Sequence, residues 1–133
     1  EEQYSVAIDC DVDGISDEGT KDTITATFYD AKGNIIGKGK EDGVVGGVLG
    51  CGLEDLDIYA TTKGQASRVK ISTSGSDGFM IDKIELRKNG KVVRSYGANN
   101  DKGWCLSTDP EDGSRSWKVA ASGKCEASYS WNY

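Results

Sequence analysis

Alternation of apolar and polar residues with a period of two is the feature that most constrains how this chain folds. Residues 23–28, TITATF, place Ile24, Ala26 and Phe28 on one face of a strand and three threonines on the other. Residues 3–8, QYSVAI, alternate in the same way. No window of about a dozen residues carries apolar residues at helical spacing. The sequence therefore predicts an all-β chain.

Short runs of Gly, Ser and Asp separate the strand candidates. Two tight turns, at 30–34 and 88–91, predict antiparallel hairpins, and the second contains the pair Asn89-Gly90. The remaining candidates are 35–36, 56–60, 67–72, 79–87, 92–96, 117–120 and 126–131. About eight strands with alternating faces are typical of two packed sheets. We therefore predict an antiparallel β-sandwich.

The length of 133 residues fits one domain, since domains of about 100 to 150 residues are the commonest. Two segments interrupt the alternation. Residues 43–52 are rich in glycine, which favours a long loop held by Cys51 or, alternatively, a bulge or a close backbone approach. Residues 97–116 are predicted to be a long polar loop that contains Pro110, the only proline. We expect 1–133 to form a single domain, with 97–133 as its loop-rich C-terminal extension.

Charge and composition restrict the possible functions. The chain has 16 basic and 22 acidic residues and a net charge of −6, and no basic cluster stands out along the sequence. Nucleic acid is therefore not an expected partner. Histidine is absent, which removes the commonest general base and the usual serine and cysteine triads. We expect a protein that is not an enzyme.

Four cysteines, at positions 10, 51, 105 and 125, are widely spaced and include no C-x-x-C pair of the kind that binds zinc. We predict two disulfides. Of the three possible pairings we favour Cys10–Cys51 with Cys105–Cys125, because the second pair closes one local lobe. Disulfides, and a sequence that begins at Glu1 without an apolar leader, are expected of a processed protein that is secreted, extracellular or stored in a secretory granule.

The sequence contains, in this order, the stretches GISDEGTKDTITATFYDAKGN at 14–34, LEDLDIYATTKGQASRVKIS at 53–72 and DGFMIDKIELRKNGKVVRSY at 77–96. Together they resemble the PLAT domain, a β-sandwich module of lipoxygenases, lipases and small secreted proteins. Phe79 stands where the family signature usually has Trp. The resemblance implies the sandwich fold, a lipid surface or a protein as partner, and calcium in loops at the sheet ends.

The acidic stretch DCDVDGISDEG at 9–19 is the candidate metal site. Four aspartates follow EF-hand spacing with Gly14 at the sixth position, but Thr20 replaces the twelfth-position Glu and the flanks are strands, so an EF-hand is not predicted. Two hypotheses stay open, a calcium site at the end of the sandwich and a solvated acidic turn. The four candidate ligands are Asp9, Asp11, Asp13 and Asp17. The residues that can complete the shell are Asp22, Asp55 and Asp57.

Trp104 is the candidate binding residue, because an aromatic side chain on a polar loop can enter a membrane interface or stack on a sugar. The alternative for Trp104, as for Trp117 and Trp131, is a place in the core.

We expect a secreted, non-catalytic binding module. One alternative is a self-assembling matrix protein that uses its sheet edges and its tail YSWNY. Another is a lectin-like module for carbohydrate.

Overall fold

The computed structural model describes residues 1–9, 22–41, 56–76, 78–97, 102–110, 118–119 and 125–133. Every regular element among these residues is a β-strand. None of them forms a helix long and apolar enough to cross a membrane. The strands are β1 (Glu2–Asp9), β2 (Ile24–Tyr29), β3 (Ile35–Glu41), β4 (Leu56–Thr62), β5 (Arg68–Thr73), β6 (Phe79–Ile81), β7 (Lys83–Lys88), β8 (Lys91–Gly97), β9 (Lys102–Leu106), β10 (Lys118–Val119) and β11 (Ser128–Asn132).

Two four-stranded antiparallel sheets form the sandwich. The strand order is β4-β1-β7-β8 in the first sheet and β11-β5-β2-β3 in the second. The predicted all-β fold with about eight strands in two antiparallel sheets is therefore confirmed. A third, small sheet has the order β10-β9-β6, and its β9–β10 pair is parallel.

The core lies between the inner faces of the two large sheets and is built by the alternation seen in the sequence. Burial of these side chains removes apolar surface from water, which contributes about 25 cal/mol per Å². β6 and β9 add apolar side chains to the same cluster. Its fully or almost fully buried members include Tyr4, Val6, Ile8, Ile24, Ala26, Phe28, Ile58, Val69, Ile71, Phe79, Ile81, Ile84, Leu86 and Leu106.

Both predicted hairpins are present. Asn89 and Gly90 have φ of 52° and 83°, the positive values that a two-residue turn between β7 and β8 requires. Between β2 and β3, one carboxylate oxygen of Asp30 accepts hydrogen bonds from the backbone N–H groups of Lys32 and Asn34, each 2.9 Å long. Gly33, with φ of 87°, completes this turn.

β3 and β4 close one side of the sandwich, because the edge of the second sheet lies directly against the edge of the first. The backbone N–H of Lys63, just after β4, donates to the carbonyl oxygen of Ile36 at 3.2 Å. Gly37 and Gly39 face inward here, opposite Phe28 and Ala26 on β2. The absence of side chains at these two positions lets the backbones of β3 and β4 approach each other.

Part of the C-terminal third is built into the sandwich. β11 is an edge strand of the second sheet and pairs with β5. The disulfide Cys105–Cys125 is confirmed, with 4.5 Å between the two Cα atoms. Cys10 and Cys51 lie outside the described residues.

The expectation of one continuous loop over 97–116 is wrong for residues 102–106, which form β9. The segment KGWCL is too short and too mixed to give a strand signal by alternation. Its conformation depends on pairing with β6, in which Leu106 lies opposite Phe79, and on the bond from Cys105 to Cys125.

Candidate functional site: the basic face of the second sheet

The outward-facing residues of β3, β2, β5 and β11 form a surface that we call the basic face. The antiparallel register determines which side chains lie on this face, because residues paired across neighbouring strands lie on the same side of a sheet. Three cross-strand rows result. Read from β3 to β11, the rows are Ile35-Tyr29-Arg68-Asn132, Lys38-Thr27-Lys70-Ser130 and Lys40-Thr25-Ser72-Ser128.

This face is positively charged. Four of its residues are cationic, namely Lys38, Lys40, Arg68 and Lys70, and none of the described outward residues of these strands is Asp or Glu. Lys38 and Lys40 are exposed, and Arg68 and Lys70 are partly exposed. The chain as a whole carries a net charge of −6. This face is therefore positive although the chain is acidic overall.

The spacing of the cations is set by strand geometry. Residues two apart on one strand, such as Lys38 and Lys40, are separated by about 7 Å at their Cα atoms. Lys38 and Lys70 lie on strands that flank β2, so their backbones are about 10 Å apart. Hydroxyl-bearing residues lie near the cations, of which Thr25 and Ser72 are partly exposed and Thr27 is buried. This arrangement offers positive charges, with partly exposed hydroxyl groups beside them, on one face of the sheet.

Arg68 is held in place by two contacts within the face. Its guanidinium carbon lies 4.0 Å from the centroid of the Tyr29 ring. One of its terminal nitrogens donates to the side-chain oxygen of Ser130 at 3.2 Å. A cation–π contact at a partly exposed site contributes about 0.5 to 1 kcal/mol. The contact fixes the position of the guanidinium and covers the ring face that it touches.

Alternation of glycine and lysine over residues 37–40 accounts for the β3 side of the face. The glycines turn inward, where β4 leaves no room for a side chain, and Lys38 and Lys40 therefore turn outward. The same short sequence, Gly-Lys-Gly-Lys, closes the sandwich and supplies two of the four cations.

Sequence reasoning missed this surface because its cations come from two strands that are distant in the chain. Four positive residues spread over positions 38 to 70 form no cluster until β2 brings β3 and β5 together on its two sides. The sequence does contain a signal for this face in the spacing of Lys38-x-Lys40 and of Arg68-x-Lys70, because residues two apart on a strand share a face.

The outer face of the first sheet differs in that its central cation is paired. Arg87 on β7 lies 3.1 Å from a carboxylate oxygen of Glu85 and 4.0 Å from one of Asp57 on β4. Ala7, which lies between Asp57 and Glu85 in the register, is buried. The charge of this one arginine is thus compensated locally.

Of the four predicted calcium ligands, only Asp9 belongs to the described part of the chain. It ends β1, and its carbonyl oxygen accepts a hydrogen bond from the backbone N–H of Asp82 at 2.7 Å. The positions 11, 13 and 17 lie outside the described residues, as does 55. Among the residues that the structure describes, no group of three or more Asp, Glu, Cys or His is placed to hold a metal ion.

Two further aspartates named as possible calcium ligands are described. Asp57 lies beside Arg87, at 4.0 Å, on the outer face of the first sheet. Asp22, just before β2, lies against Gly75, where an added β-carbon would be 2.6 Å from its carboxylate.

Trp104 lies on β9 and is partly exposed. Its ring meets that of Trp131 edge to face, with 5.4 Å between centroids and an angle of 86° between planes. Trp131 is buried, and Tyr129 lies beside it at 6.1 Å. Trp104 is therefore part of an aromatic group on the core, with only some of its surface available to a ligand. Trp117 lies outside the described residues.

No protein-family model, no curated protein and no solved structure matched this chain. The resemblance to the PLAT domain stays a prediction from the sequence.

Proposed function

We propose that this protein is a secreted, non-catalytic binding module that holds an anionic partner on the basic face. The observation that carries the proposal is a sheet face with four cations and no carboxylate among its described outward residues, in a chain with a net charge of −6. Cations that lie close together on one surface repel one another. A negatively charged partner relieves that repulsion and gains favourable contacts with cations of the face.

The partner classes suggested by the PLAT resemblance are a membrane-surface lipid and a protein, and carbohydrate is the third. Each class includes members with phosphate, carboxylate or sulfate groups. Such groups form charge-assisted hydrogen bonds with Lys and Arg, and the planar fork of Arg68 suits two oxygens of one group.

The absence of catalysis is part of the proposal. The basic face provides cations and hydroxyl groups, and a hydroxyl nucleophile needs an adjacent base. None of the described outward residues of the face is a carboxylate or a histidine. The groups present are suited to binding.

Self-assembly, the alternative function, has less support. Trp131 of the tail YSWNY is buried, and Tyr129 and Tyr133 pack against the core. Edge strand β8 exposes Val92 and Val93, but its register shifts there and Lys91 and Arg94 flank them. A bulge and basic residues on an edge strand are features that oppose edge-to-edge pairing.

Calcium is proposed as a separate ligand of the acidic stretch, through Asp9, Asp11, Asp13 and Asp17. Bound calcium would supply positive charge that offsets the repulsion of these carboxylates. This part of the proposal is independent of the basic face.

A binding assay with three anionic probes tests the proposed function: phosphatidylserine-containing vesicles, a sulfated polysaccharide and poly-glutamate. We expect at least one to bind, with a dissociation constant that rises steeply with salt. The double variant Lys38→Ser/Lys70→Ser should weaken that binding at least tenfold. Lys91→Ser/Arg94→Ser, which removes the same charge from β8, is the matched control and should leave it unchanged. Failure of all three probes to bind would overturn the proposal.

A further inference from the structure

We propose that the partner of the basic face is a linear sulfated polysaccharide, which lies across the strands over Lys38, Lys70 and Arg68. This inference rests on the proposed function and names its ligand class. The juxtaposition that carries it is one sheet face on which cations repeat along and across the strands, with the hydroxyl side chains of Thr25 and Ser72 beside them.

The geometry suits an extended chain with regularly spaced anionic groups. The cations repeat at about 7 Å along a strand and about 10 Å across β2. A linear glycan can place sulfates over successive cations without being bent. Thr25 and Ser72, both partly exposed, offer hydroxyl groups beside those contacts, which can both donate to sulfate oxygens and accept from sugar hydroxyls. The face therefore has hydrogen-bonding partners for the sugar as well as for its charges.

A membrane fits this face less well. Ile35 is the only exposed large aliphatic side chain in the three rows, at 56 % exposure, and insertion into a bilayer needs several apolar groups. A planar anionic surface would also extend beyond the face and meet the field of a protein whose net charge is −6. A narrow polysaccharide stays within the positive region.

Nucleic acid and protein fit less well for different reasons. Single-stranded nucleic acid is held largely by stacking on aromatic side chains, and Tyr29, the one aromatic residue in the rows, has Arg68 over its ring at 4.0 Å. Protein interfaces depend on an apolar or aromatic centre that becomes dry. The centre of this face is Thr27 between Lys38 and Lys70.

The disulfide Cys105–Cys125 agrees with an oxidising, extracellular environment. Linear sulfated polysaccharides are polyanions of that environment, so the chemistry of the face and the compartment suggested by the disulfide agree.

The test measures binding of the wild-type chain to heparin, to heparin stripped of its sulfates, to phosphatidylserine-containing vesicles and to a short DNA duplex, at several salt concentrations. We expect heparin to bind most tightly and loss of sulfate to reduce the affinity at least tenfold. Lys38→Ser/Lys70→Ser should also reduce the salt dependence, lowering the slope of log Kd against log salt by about two, because each cation contact releases about one counterion. Lys91→Ser/Arg94→Ser should bind heparin like the wild type.

Several outcomes separate this inference from the function on which it rests. Tighter binding to vesicles or DNA than to heparin, with the same loss in Lys38→Ser/Lys70→Ser, would overturn the polysaccharide and leave the anion-binding function standing. Heparin binding that is unaffected by Lys38→Ser/Lys70→Ser but lost in the β8 control would overturn the assignment to this face. No binding to any anion would overturn both. Thermal unfolding of each variant shows that a loss of binding is not a loss of fold.

Discussion

Gly39 of β3 faces Tyr59 of β4 so closely that a β-carbon at position 39 would overlap the carbonyl oxygen of Tyr59. Neither backbone can move freely, because Gly39 lies opposite Ala26 on β2 and Tyr59 lies opposite Ser5 on β1. The contact between the edges of the two sheets therefore requires a glycine at position 39.

Gly39→Ala is expected to destabilise the fold, since the new methyl group must push the two strands apart. Overpacking of this kind costs about 1 to 3 kcal/mol. Gly64→Ala is the matched control, because a β-carbon there would meet no atom within 4 Å. Urea unfolding of both variants measures the difference, and equal stability of the two would show that the close approach of β3 and β4 is not a constraint in solution.

Tyr133→Phe is expected to lower the free energy of unfolding by about 1 kcal/mol, the usual net contribution of one hydrogen bond. The phenol of Tyr133 lies 2.9 Å from the carbonyl oxygen of Ser5 and 3.2 Å from that of Arg87, and it connects the end of β11 to the first sheet. Tyr59→Phe provides the control, since Tyr59 is 55 % exposed. A Tyr133→Phe variant as stable as Tyr59→Phe would exclude a stabilising role for this hydroxyl.

Alkaline pH should destabilise the protein through two tyrosines. Burial, and secondarily the charge of Glu126, raises the pKa of Tyr129 from 10.0 to about 12. Burial, and secondarily Tyr4, raises the pKa of Tyr133 as well. Because the folded state holds these protons more tightly than the unfolded chain, the stabilisation is complete below about pH 10 and is lost as the pH rises through the folded-state values.

The alkaline destabilisation is checked by the free energy of unfolding between about pH 9 and 12, a range that includes the ordinary tyrosine pKa of about 10. Absorbance titration of the phenolates accompanies it. The decline should be shallower in Tyr129→Phe and Tyr133→Phe than in Tyr59→Phe. If all three variants lose stability with the same slope, the alkaline transition has another cause.

Much of the fold could be predicted from the sequence because alternation encodes which side chains face the core. The strand at 23–28 and the turn at Asn89-Gly90 are examples, since each depends on its own residues. β9 could not be found in this way, because its conformation depends on pairing with β6 and on the Cys105–Cys125 bond. The basic face was hidden for a similar reason, since only sheet order brings Lys38 next to Lys70.

Removal of the disulfide in Cys105→Ala/Cys125→Ala should lower the free energy of unfolding by roughly 3 kcal/mol, the value of the chain-entropy model for a loop of this size. The bond spans 20 residues and ties β9 to the segment before β11. Thiol titration of the denatured, unreduced wild type is the companion measurement. If all four cysteines are paired, as predicted, this titration finds no free thiol. Four free thiols would refute both the pairing and the secreted location.

Calcium should raise the thermal midpoint if Asp9, Asp11, Asp13 and Asp17 hold one ion. Four carboxylates close together repel one another, and an ion that binds only the folded state stabilises it by RT ln(1 + [L]/Kd), about 2.7 kcal/mol at a hundredfold excess over Kd. We therefore expect a higher midpoint in millimolar calcium than in chelator. The difference should shrink in Asp11→Asn and in Asp13→Asn.

Glu1→Gln is a suitable control for this measurement, because Glu1 is exposed and lies at the opposite end of β1 from Asp9. It removes one negative charge without touching the acidic stretch, so it should preserve the calcium-dependent shift of the midpoint. Equal midpoints with calcium and chelator, with no heat of binding by calorimetry, would make DCDVDGISDEG a solvated acidic turn. A shift that persists in Asp11→Asn and Asp13→Asn would place the ion elsewhere, and the acidic segment at 109–112 would be tested next, because it groups three carboxylates, Asp109, Glu111 and Asp112.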